Sequence, residues 1–295
     1  MRVVSPIFKN ESLQTLFEKN GFVKVPLLNL QQVNELNDFF AAHKELHATV
    51  DNLHHTTTDT QNPELILSVD AKIKSVFLPE LEKVLVDFKG LAGCFHIKES
   101  GIGSETGIHQ DPTFVDENNF FSANVWVALQ DIDKTNGNLF FVSGSNRAIT
   151  SLRVTPAFPS YYESFQQALP EMATHVSLKK GEAVIFNNAT IHAATENLSS
   201  DSRLAATLLV CSASAQWLLY YQEKGAANDK IEKYHLDVDT FFSIANNGRP
   251  DKKAFKEFIA YEYPQLTKEE FLSLTGRKKN YLQRITDVFR MKSAV

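Results

Sequence analysis

Two histidines and one aspartate have the identities and the spacing of metal ligands. His109 and Asp111 stand two positions apart, and His192 follows an apolar segment further along the chain. Because alternate residues of an extended strand point to the same side, His109 and Asp111 can face one ion together. Two imidazoles and one carboxylate form the facial triad of non-haem Fe(II) oxygenases, which leaves positions on the metal open for a co-substrate and for O2. We therefore predict an Fe(II) site made of these three residues.

The second part of the pattern is a positively charged side chain that can hold the co-substrate. Arg203 stands eleven positions after His192, beyond a polar segment. 2-Oxoglutarate chelates a metal through its keto acid, so its distal carboxylate needs a fixed partner deeper in the fold. The planar guanidinium of arginine binds a carboxylate through two parallel hydrogen bonds and stays charged. We predict that Arg203 holds 2-oxoglutarate.

The combination of these residues carries the prediction, and no single member does. The chain has 9 histidines and 35 acidic residues, so one His-x-Asp match is expected by chance and also fits a surface turn. His192 alone is more often a hydrogen-bonded polar residue than a ligand. The order of His-x-Asp, histidine and arginine is what favours the oxygenase site.

The residues before these candidates have the apolar spacing of helices. Helices are predicted around residues 13–17, over Leu30–Phe40 and over Lys72–Phe88. The run Phe22–Pro26 is predicted to be extended, and the polar segment His47–Pro63 is predicted to be a loop.

The middle of the chain changes to short strands separated by turns. Strands are predicted over Leu91–Lys98, Phe121–Leu129, Leu139–Val142, Ala183–Phe186 and Leu204–Val210. Strands without intervening helices favour an antiparallel sandwich or barrel over βαβ units.

After the strands the helical pattern returns, with a capping box at Thr267–Glu270 and a final helix over residues 281–289. We predict one domain over residues 1–295. Its N-terminal part, 1–90, and its C-terminal part, 214–295, are expected to be helical around a β core at about 91–213.

Composition limits the classes of protein to which the chain can belong. Of 295 residues, 43% are hydrophobic and 22% charged, with a formal net charge of −5, which excludes a disordered chain and gives no reason to expect nucleic-acid binding. No apolar run is long enough to cross a membrane. The 2 cysteines are expected to be free thiols of a reducing compartment, so we expect a cytoplasmic protein. The excess of basic residues over 249–295 is typical of a solvated helix face. The sequence holds no signal for an oligomeric state.

Longer motifs surround the candidate ligands, and together they resemble one family. The segments are, in order, GFVKVPLLNLQQVNEL, GIHQDPTFVDE, NVWVALQDID, NGNLFFVSGSNR and FNNATIHAATENLSSDSR. From about residue 20 to residue 210 they resemble the phytanoyl-CoA dioxygenase family of Fe(II)/2-oxoglutarate-dependent oxygenases. The resemblance implies a mainly β fold with flanking helices, the cupin-like jelly-roll known as the double-stranded β-helix. It implies the same iron ligands and the same 2-oxoglutarate anchor that the spacing predicts.

Further site residues follow from the resemblance. Trp126 and His96 hold positions where family members contact the co-substrate, so both are predicted to bind it. Lys98 shares a strand face with His96. Lys98, Gln110 and Thr113 are predicted to line the substrate pocket.

Two residues depart from the family pattern near this cavity. Pro112 stands where many relatives have tryptophan, and Ala194 stands where some have a co-substrate-binding serine. These departures leave the substrate open. A halogenating branch of these oxygenases has glycine or alanine in place of the carboxylate ligand, so the presence of Asp111 predicts hydroxylation or a related oxidation such as desaturation.

The expected reaction is hydroxylation of an unactivated C–H bond of a small molecule, with 2-oxoglutarate converted to succinate and CO2. An amino acid or a natural-product intermediate is the favoured substrate, and an acyl-CoA or carrier-linked acyl group is the alternative. No catalytic residue is predicted beyond the metal ligands. Two other readings stay open: a non-catalytic metal-binding jelly-roll module, and a Mn or Zn hydrolase of the cupin type. The complete ligand set disfavours the first, and Arg203 would have no role in the second.

Overall fold

The computed structural model describes residues 6–43, 46, 52–60, 62–156, 161–227 and 230–277. The helix predicted over residues 281–289 lies outside these ranges, as does part of the segment His47–Pro63. The described chain runs from N-terminal helices through paired strands into a C-terminal sheet with short helices.

The first two predicted helices are confirmed. They are α1 (Glu11–Asn20) and α2 (Leu30–Ala42). Gly21 ends α1 with a φ of 84°, a left-handed conformation that favours glycine. Asn29 and Gln32 form a capping box at the start of α2, each side chain accepting a hydrogen bond from the other residue's backbone N–H. The two caps fix where the chain enters and leaves the extended run between the helices.

The third helix, α3, spans Pro63–Val84, so the predicted bounds Lys72–Phe88 were wrong at both ends. The Asn62 side chain caps the first turn. Proline suits the first helical position because a backbone N–H there would have no acceptor within the helix. Phe88 continues the helical spacing of apolar residues, but its backbone pairs with Ser212 and begins a strand.

Six antiparallel strands form the larger sheet, and five of them cover strands or extended runs that the sequence predicts. They are β1 (Phe22–Pro26), β2 (His54–Thr56), β3 (Phe88–Lys98), β5 (Ser122–Ala128), β9 (Glu182–Asn187) and β11 (Arg203–Ser212). Their order across the sheet is β1-β9-β5-β11-β3-β2.

A smaller antiparallel sheet lies against the larger one. Its strands are β4 (Thr106–His109), β6 (Leu139–Phe141), β8 (Thr174–Val176) and β10 (His192–Ala194), in the order β4-β10-β6-β8. Its Leu139, Phe141 and Ala194 share a buried cluster with residues of the larger sheet. The two sheets therefore form a sandwich.

Alternate residues of the central strand β5 face two different layers. Val125 and Val127 belong to the core that the larger sheet shares with α1, α2 and α3. Trp126 and Ala128 point the other way, into the cluster between the two sheets. This mainly β sandwich with helices on its outer face confirms the predicted jelly-roll class.

The segment His47–Pro63 is not only a loop, as the sequence predicted. His54–Thr56 forms the edge strand β2, which pairs with β3 through the register His54↔Lys98. Threonine suits a strand, but the run is too short and too polar to show the alternation from which strands are predicted.

The expectation of an entirely helical C-terminal part was also wrong. After Ser214 three strands form a third sheet with the short β7 (Thr155–Pro156). These strands are β12 (Leu218–Gln222), β13 (Ile231–His235) and β14 (Phe255–Ile259). All five residues of β12 are buried, so this strand has no polar face to alternate with an apolar one. Short apolar runs of this kind do not separate helix from strand.

The remaining helices are short. They are α4 (Ser145–Ala148), α5 (Val238–Asn247) and α6 (Lys268–Leu274), and the predicted capping box at Thr267 begins α6. Among the described residues, no helix has the length and apolar character that crossing a bilayer requires.

Candidate metal centre

The three predicted ligands meet at one end of the smaller sheet. His109 ends β4 and His192 begins β10, and the two residues are direct partners in the register of these strands. Asp111 follows two residues after His109. The Oδ1 atom of Asp111 lies 3.9 Å from Nε2 of His109 and 3.8 Å from Nε2 of His192. One ligand atom from each side chain lies within 4.8 Å of the others, so the group can hold one metal ion.

Backbone hydrogen bonds orient both imidazoles. His109 Nδ1 lies 2.7 Å from the Gly107 carbonyl oxygen, and His192 Nδ1 lies 2.9 Å from that of Thr190. A carbonyl oxygen only accepts, so each Nδ1 carries the proton and donates it. Each Nε2 is then left with a free lone pair directed at the site, which is the tautomer that binds a metal through Nε2.

Burial sets the charge of the ligands before a metal binds. Burial and the neighbouring His109 lower the pKa of His192 well below its usual value, so this imidazole is neutral. Burial raises the pKa of Asp111, against the opposing effects of His109 and Arg153. An ion that takes the carboxylate as a ligand would favour its charged form, because a cation lowers the pKa of a nearby acid.

Aromatic side chains shield the His192 side of the centre. The Phe186 ring centroid lies 4.6 Å from that of His192, and the Phe141 ring stacks on His192 at 5.9 Å. The His109 side chain is 38% exposed, against 6% for His192. The centre is therefore closed on one side and reached from the His109 side.

Buried polar atoms without partners mark the inside of the cavity. Among the described residues, Asp111 Oδ2 and Asn124 Oδ1 are buried and accept no hydrogen bond. Buried polar atoms are normally paired, so an unpaired set at one place indicates a group that binds there. Two imidazoles and a carboxylate are ligands that suit Fe(II). The donor set therefore fits an Fe(II) ion.

Arg203 lies in the layer between the two sheets that also holds the Phe141 and Phe186 rings packed on His192. It begins β11, its side chain is buried, and its guanidinium carbon lies 5.0 Å from the ring centroid of Trp126. Its Nε and Nη1 atoms have no hydrogen-bond partner among the described residues. Burial lowers the pKa of Arg203 to about 9. A buried guanidinium with unused donors fits the carboxylate of a bound co-substrate.

His96 and Lys98 line the cavity wall on β3. His96 Nε2 lies 3.6 Å from the Cys94 sulfur, and its Nδ1 lies 3.5 Å from His54 Nε2. Burial, together with the charges of Arg203 and Lys98, lowers the pKa of His96 to about 3. The structure thus places His96 as a neutral ring beside the cationic end of the cavity, and its contact with co-substrate stays a prediction.

Gln110 and Thr113 form hydrogen bonds with backbone groups around the centre. Gln110 donates a hydrogen bond from Nε2 to the Ala189 carbonyl oxygen at 2.5 Å. Thr113 exchanges two hydrogen bonds of 3.0 Å with the backbone of Arg153. These contacts hold the loop that carries Asp111, and the predicted contacts of both side chains with substrate stay predictions.

Arg153 and Glu117 are functional candidates that the sequence did not reveal. Arg153 Nε donates to the Asp111 carbonyl oxygen at 2.6 Å, and its two terminal nitrogens bind the Glu117 carboxylate. The Asp111 amide donates to the Asn188 carbonyl oxygen at 2.9 Å. The backbone of Asp111 is therefore fixed from both sides. Arg153 lies outside the quoted motifs and Glu117 is the last residue of one of them, but only the fold brings the two side chains together at the centre.

Replacing Arg153 with lysine is expected to weaken metal binding by about 10- to 100-fold, the usual effect of losing a residue that orients a ligand. An ammonium group lacks the planar fork with which the guanidinium spans the Glu117 carboxylate and the Asp111 carbonyl oxygen. Titration with Mn(II), followed by electron paramagnetic resonance, measures the affinity. Arg147→Lys, a substitution of an exposed arginine, is the matched control. Equal affinities of both variants would show that Arg153 does not position Asp111.

Solved structures share this fold. A non-heme alpha ketoglutarate dependent carbocyclase, SnoK from nogalamycin biosynthesis, superposes with a TM-score of 0.55 at 18% identity, covering 74% of this chain and 89% of SnoK. The epimerase SnoN, solved in complex with Fe3+, alpha ketoglutarate and nogalamycin RO, gives a TM-score of 0.54 at 18% identity and covers 86% of this chain and 96% of SnoN. At this identity the likeness concerns the fold.

Curated relatives match part of the chain. Phytanoyl-CoA dioxygenase 1 of Oryza sativa subsp. japonica is 33% identical over 116 residues, 38% of this chain and 41% of the relative. Phytanoyl-CoA dioxygenase domain-containing protein 1 of Danio rerio is 34% identical over 120 residues, with the same coverage. The matches span about two fifths of these relatives' length. A sequence profile described as Phytanoyl-CoA dioxygenase (PhyH) matches residues 17–205, which include all three ligands and Arg203. The chain belongs to the phytanoyl-CoA dioxygenase family.

Proposed function

We propose that this protein is an Fe(II)/2-oxoglutarate-dependent dioxygenase that hydroxylates an unactivated C–H bond of a small molecule. The reaction takes the substrate, 2-oxoglutarate and O2, and it gives the hydroxylated substrate, succinate and CO2. One oxygen atom enters the product and the other enters succinate. Residues 1–295 are proposed to act as a single domain.

The observation that carries the proposal is that two kinds of group lie together between the sheets. One is a set of side chains that can bind a metal ion, and the other is a buried guanidinium that can bind a carboxylate. Nε2 of His109, Nε2 of His192 and Oδ1 of Asp111 point to a common position, and each atom is free to bind a metal. The unpaired, buried guanidinium of Arg203 faces the same space between the sheets. A hydrolytic metal centre would use the ligands but would leave this cation without a partner.

Each residue of the site has a defined part in the proposed reaction. When bound, the iron supplies the activation of O2 and the oxidation of the C–H bond. His109, Asp111 and His192 hold the ion on one face, and the rings of Phe141 and Phe186 keep water from the His192 side. Arg203 fixes the distal carboxylate, so the keto acid end of 2-oxoglutarate is oriented toward the ligands.

The exposed side of His109 is proposed as the entrance for the substrate. Polar side chains of the cavity, Asn124 and His96, favour a polar small molecule such as an amino acid or a natural-product intermediate. A coenzyme A thioester or a carrier-linked acyl group is the alternative substrate of the same chemistry. Succinate release in a screen that contains both classes separates them.

The proposed function predicts turnover of 2-oxoglutarate that depends on the intact centre. Succinate formed from 2-oxoglutarate in air is measured with and without Fe(II), first without substrate and then with a panel of amino acids and acyl thioesters. We expect Fe(II)-dependent succinate that rises with the true substrate and falls to background in His192→Ala. Hydrolysis of a substrate without succinate, or succinate that His192→Ala does not reduce, would contradict the proposal.

A further inference from the structure

Two basic side chains lie next to each other on the cavity face of the larger sheet. Lys98 on β3 and Arg203 on β11 are direct partners in the antiparallel register. Residues opposite each other in such a pair point to the same face, with Cβ atoms about 5 Å apart. Both side chains are fully buried, with exposures of 0% and 1%. The fold therefore places two cationic groups side by side at the end of the cavity away from the metal ligands.

The Lys98 side chain extends from the larger sheet, and its ammonium group contacts the smaller sheet. Its Nζ donates to the Thr195 carbonyl oxygen at 2.8 Å, just after β10, and to Thr106 Oγ1 at 3.3 Å, at the start of β4. Gly137 leaves room for the stem, because a Cβ there would lie 2.7 Å from Lys98 Cδ. An ammonium group has three N–H donors, so these two contacts leave one for another acceptor.

Neither cation has an anionic partner within the described ranges. None of the ion pairs formed there includes Lys98 or Arg203. Burial and the charge of Arg203 lower the pKa of Lys98 to about 7, against the opposing charges of Glu105 and Glu196, which form no ion pair with it. Two adjacent buried cations are costly unless an anion lies between them. This end of the cavity is therefore suited to a carboxylate.

The buried cluster beside the guanidinium contains several small side chains. Ala194, Ala205 and Ala128 belong to the same buried cluster as Trp126, over which Arg203 lies. Their methyl groups offer no hydrogen bond, so a carboxylate held here takes its charged donors from Arg203 and from the ammonium group beside it. A bidentate arginine does not satisfy all the lone pairs of a carboxylate, which has about four acceptor sites.

We propose that Lys98 is a second anchor of the 2-oxoglutarate distal carboxylate, donating its remaining N–H while Arg203 provides the bidentate contact. The inference rests on the proposed function and deepens it. It moves Lys98 from the predicted substrate pocket to the co-substrate site. It also gives Lys98 a second task, since the same ammonium group ties β4 and β10, the strands that carry His109 and His192, to the larger sheet.

Lys98→Met tests the proposal, because methionine keeps most of the stem beside Gly137 and removes only the charge and the donors. The Mn(II)-loaded protein is titrated by calorimetry with 2-oxoglutarate and with 2-oxovalerate, which has a methyl group in place of the distal carboxylate. We expect 2-oxoglutarate to bind about 10- to 100-fold more weakly to Lys98→Met, as for loss of a charge-assisted hydrogen bond, and 2-oxovalerate to bind as to the wild type. Lys179→Met, at a lysine whose side chain is 78% exposed, is the matched control.

The two keto acids distinguish a Lys98 that binds the distal carboxylate from a Lys98 that only connects the two sheets. Equal weakening of 2-oxoglutarate and 2-oxovalerate would show that Lys98 only holds the strands together, and this would overturn the inference. Unchanged binding of both ligands would overturn it as well, while the proposed function would stand. A wild-type Mn(II) protein that binds 2-oxoglutarate no better than 2-oxovalerate would contradict the proposed co-substrate itself.

Discussion

Asp111→Asn is expected to lose metal affinity by more than about 100-fold, since loss of a residue that merely orients a ligand already costs about 10- to 100-fold. Asp111 provides the only negative charge of the ligand group, between two imidazoles that are neutral when they bind an ion. Asparagine has nearly the same shape and keeps the backbone contacts with Asn188 and Arg153. The change therefore removes the charge and leaves the local fold in place. Titration with Mn(II) and with Fe(II) under argon measures the effect.

The same variant is expected to be at least as stable as the wild type without metal. Burial raises the folded-state pKa of Asp111, so the folded state binds a proton more tightly than the unfolded state does. Such a group destabilises the fold as the pH rises above its unfolded pKa, about 4, and asparagine removes this cost. Asp131→Asn, at an exposed carboxylate, is the control. Retained metal affinity in Asp111→Asn, or a large loss of stability at pH 7, would contradict the assignment of Asp111 as a ligand.

Arg203→Met is expected to weaken the binding of 2-oxoglutarate by about 100-fold or more, because two charge-assisted hydrogen bonds to the distal carboxylate are lost. The binding of 2-oxovalerate, which lacks this carboxylate, is expected to change little. Methionine can still pack on Trp126, so the wall of the cavity is preserved. Calorimetric titration of the Mn(II)-loaded variant with both keto acids gives the two affinities.

The control for this prediction is Arg147→Met, which removes an exposed arginine. It is expected to bind both keto acids as the wild type does. An Arg203→Met protein that binds 2-oxoglutarate normally would show that the carboxylate is held elsewhere, and the co-substrate assignment would be wrong. An equal loss for both keto acids would indicate that Arg203 supports the fold and does not recognise the carboxylate.

One part of the candidate ligand group, His109 with Asp111, was predictable because it depends on short-range geometry, whereas His192 joins them through the pairing of β10 with β4. The two-residue spacing of His109 and Asp111 determines a shared face on any extended segment. The alternation of β3 likewise predicts that Cys94, His96 and Lys98 share a face, and the structure places the His96 ring against the Cys94 sulfur on that face. Such features need no knowledge of which strands are neighbours.

Features that depend on long-range pairing were not predictable from the sequence. Lys98 and Arg203 become partners only through the register of β3 with β11, and Arg153 reaches Asp111 from 42 positions away. β12 lies in the part of the chain for which the sequence predicts helix, because a strand buried on both faces has no alternation. In each case the sequence holds the residues, but the contacts come from the tertiary structure.

The most direct measurement of the central claim is an anaerobic visible spectrum. Fe(II) is added to the protein and then 2-oxoglutarate, and the metal-to-ligand charge-transfer band of a keto acid chelated to Fe(II) is recorded. The account predicts the band in the wild type, its loss in His192→Ala, and its appearance in Arg203→Met only at much higher 2-oxoglutarate. Fe(II) that binds tightly while the wild type shows no band at saturating 2-oxoglutarate would contradict the account.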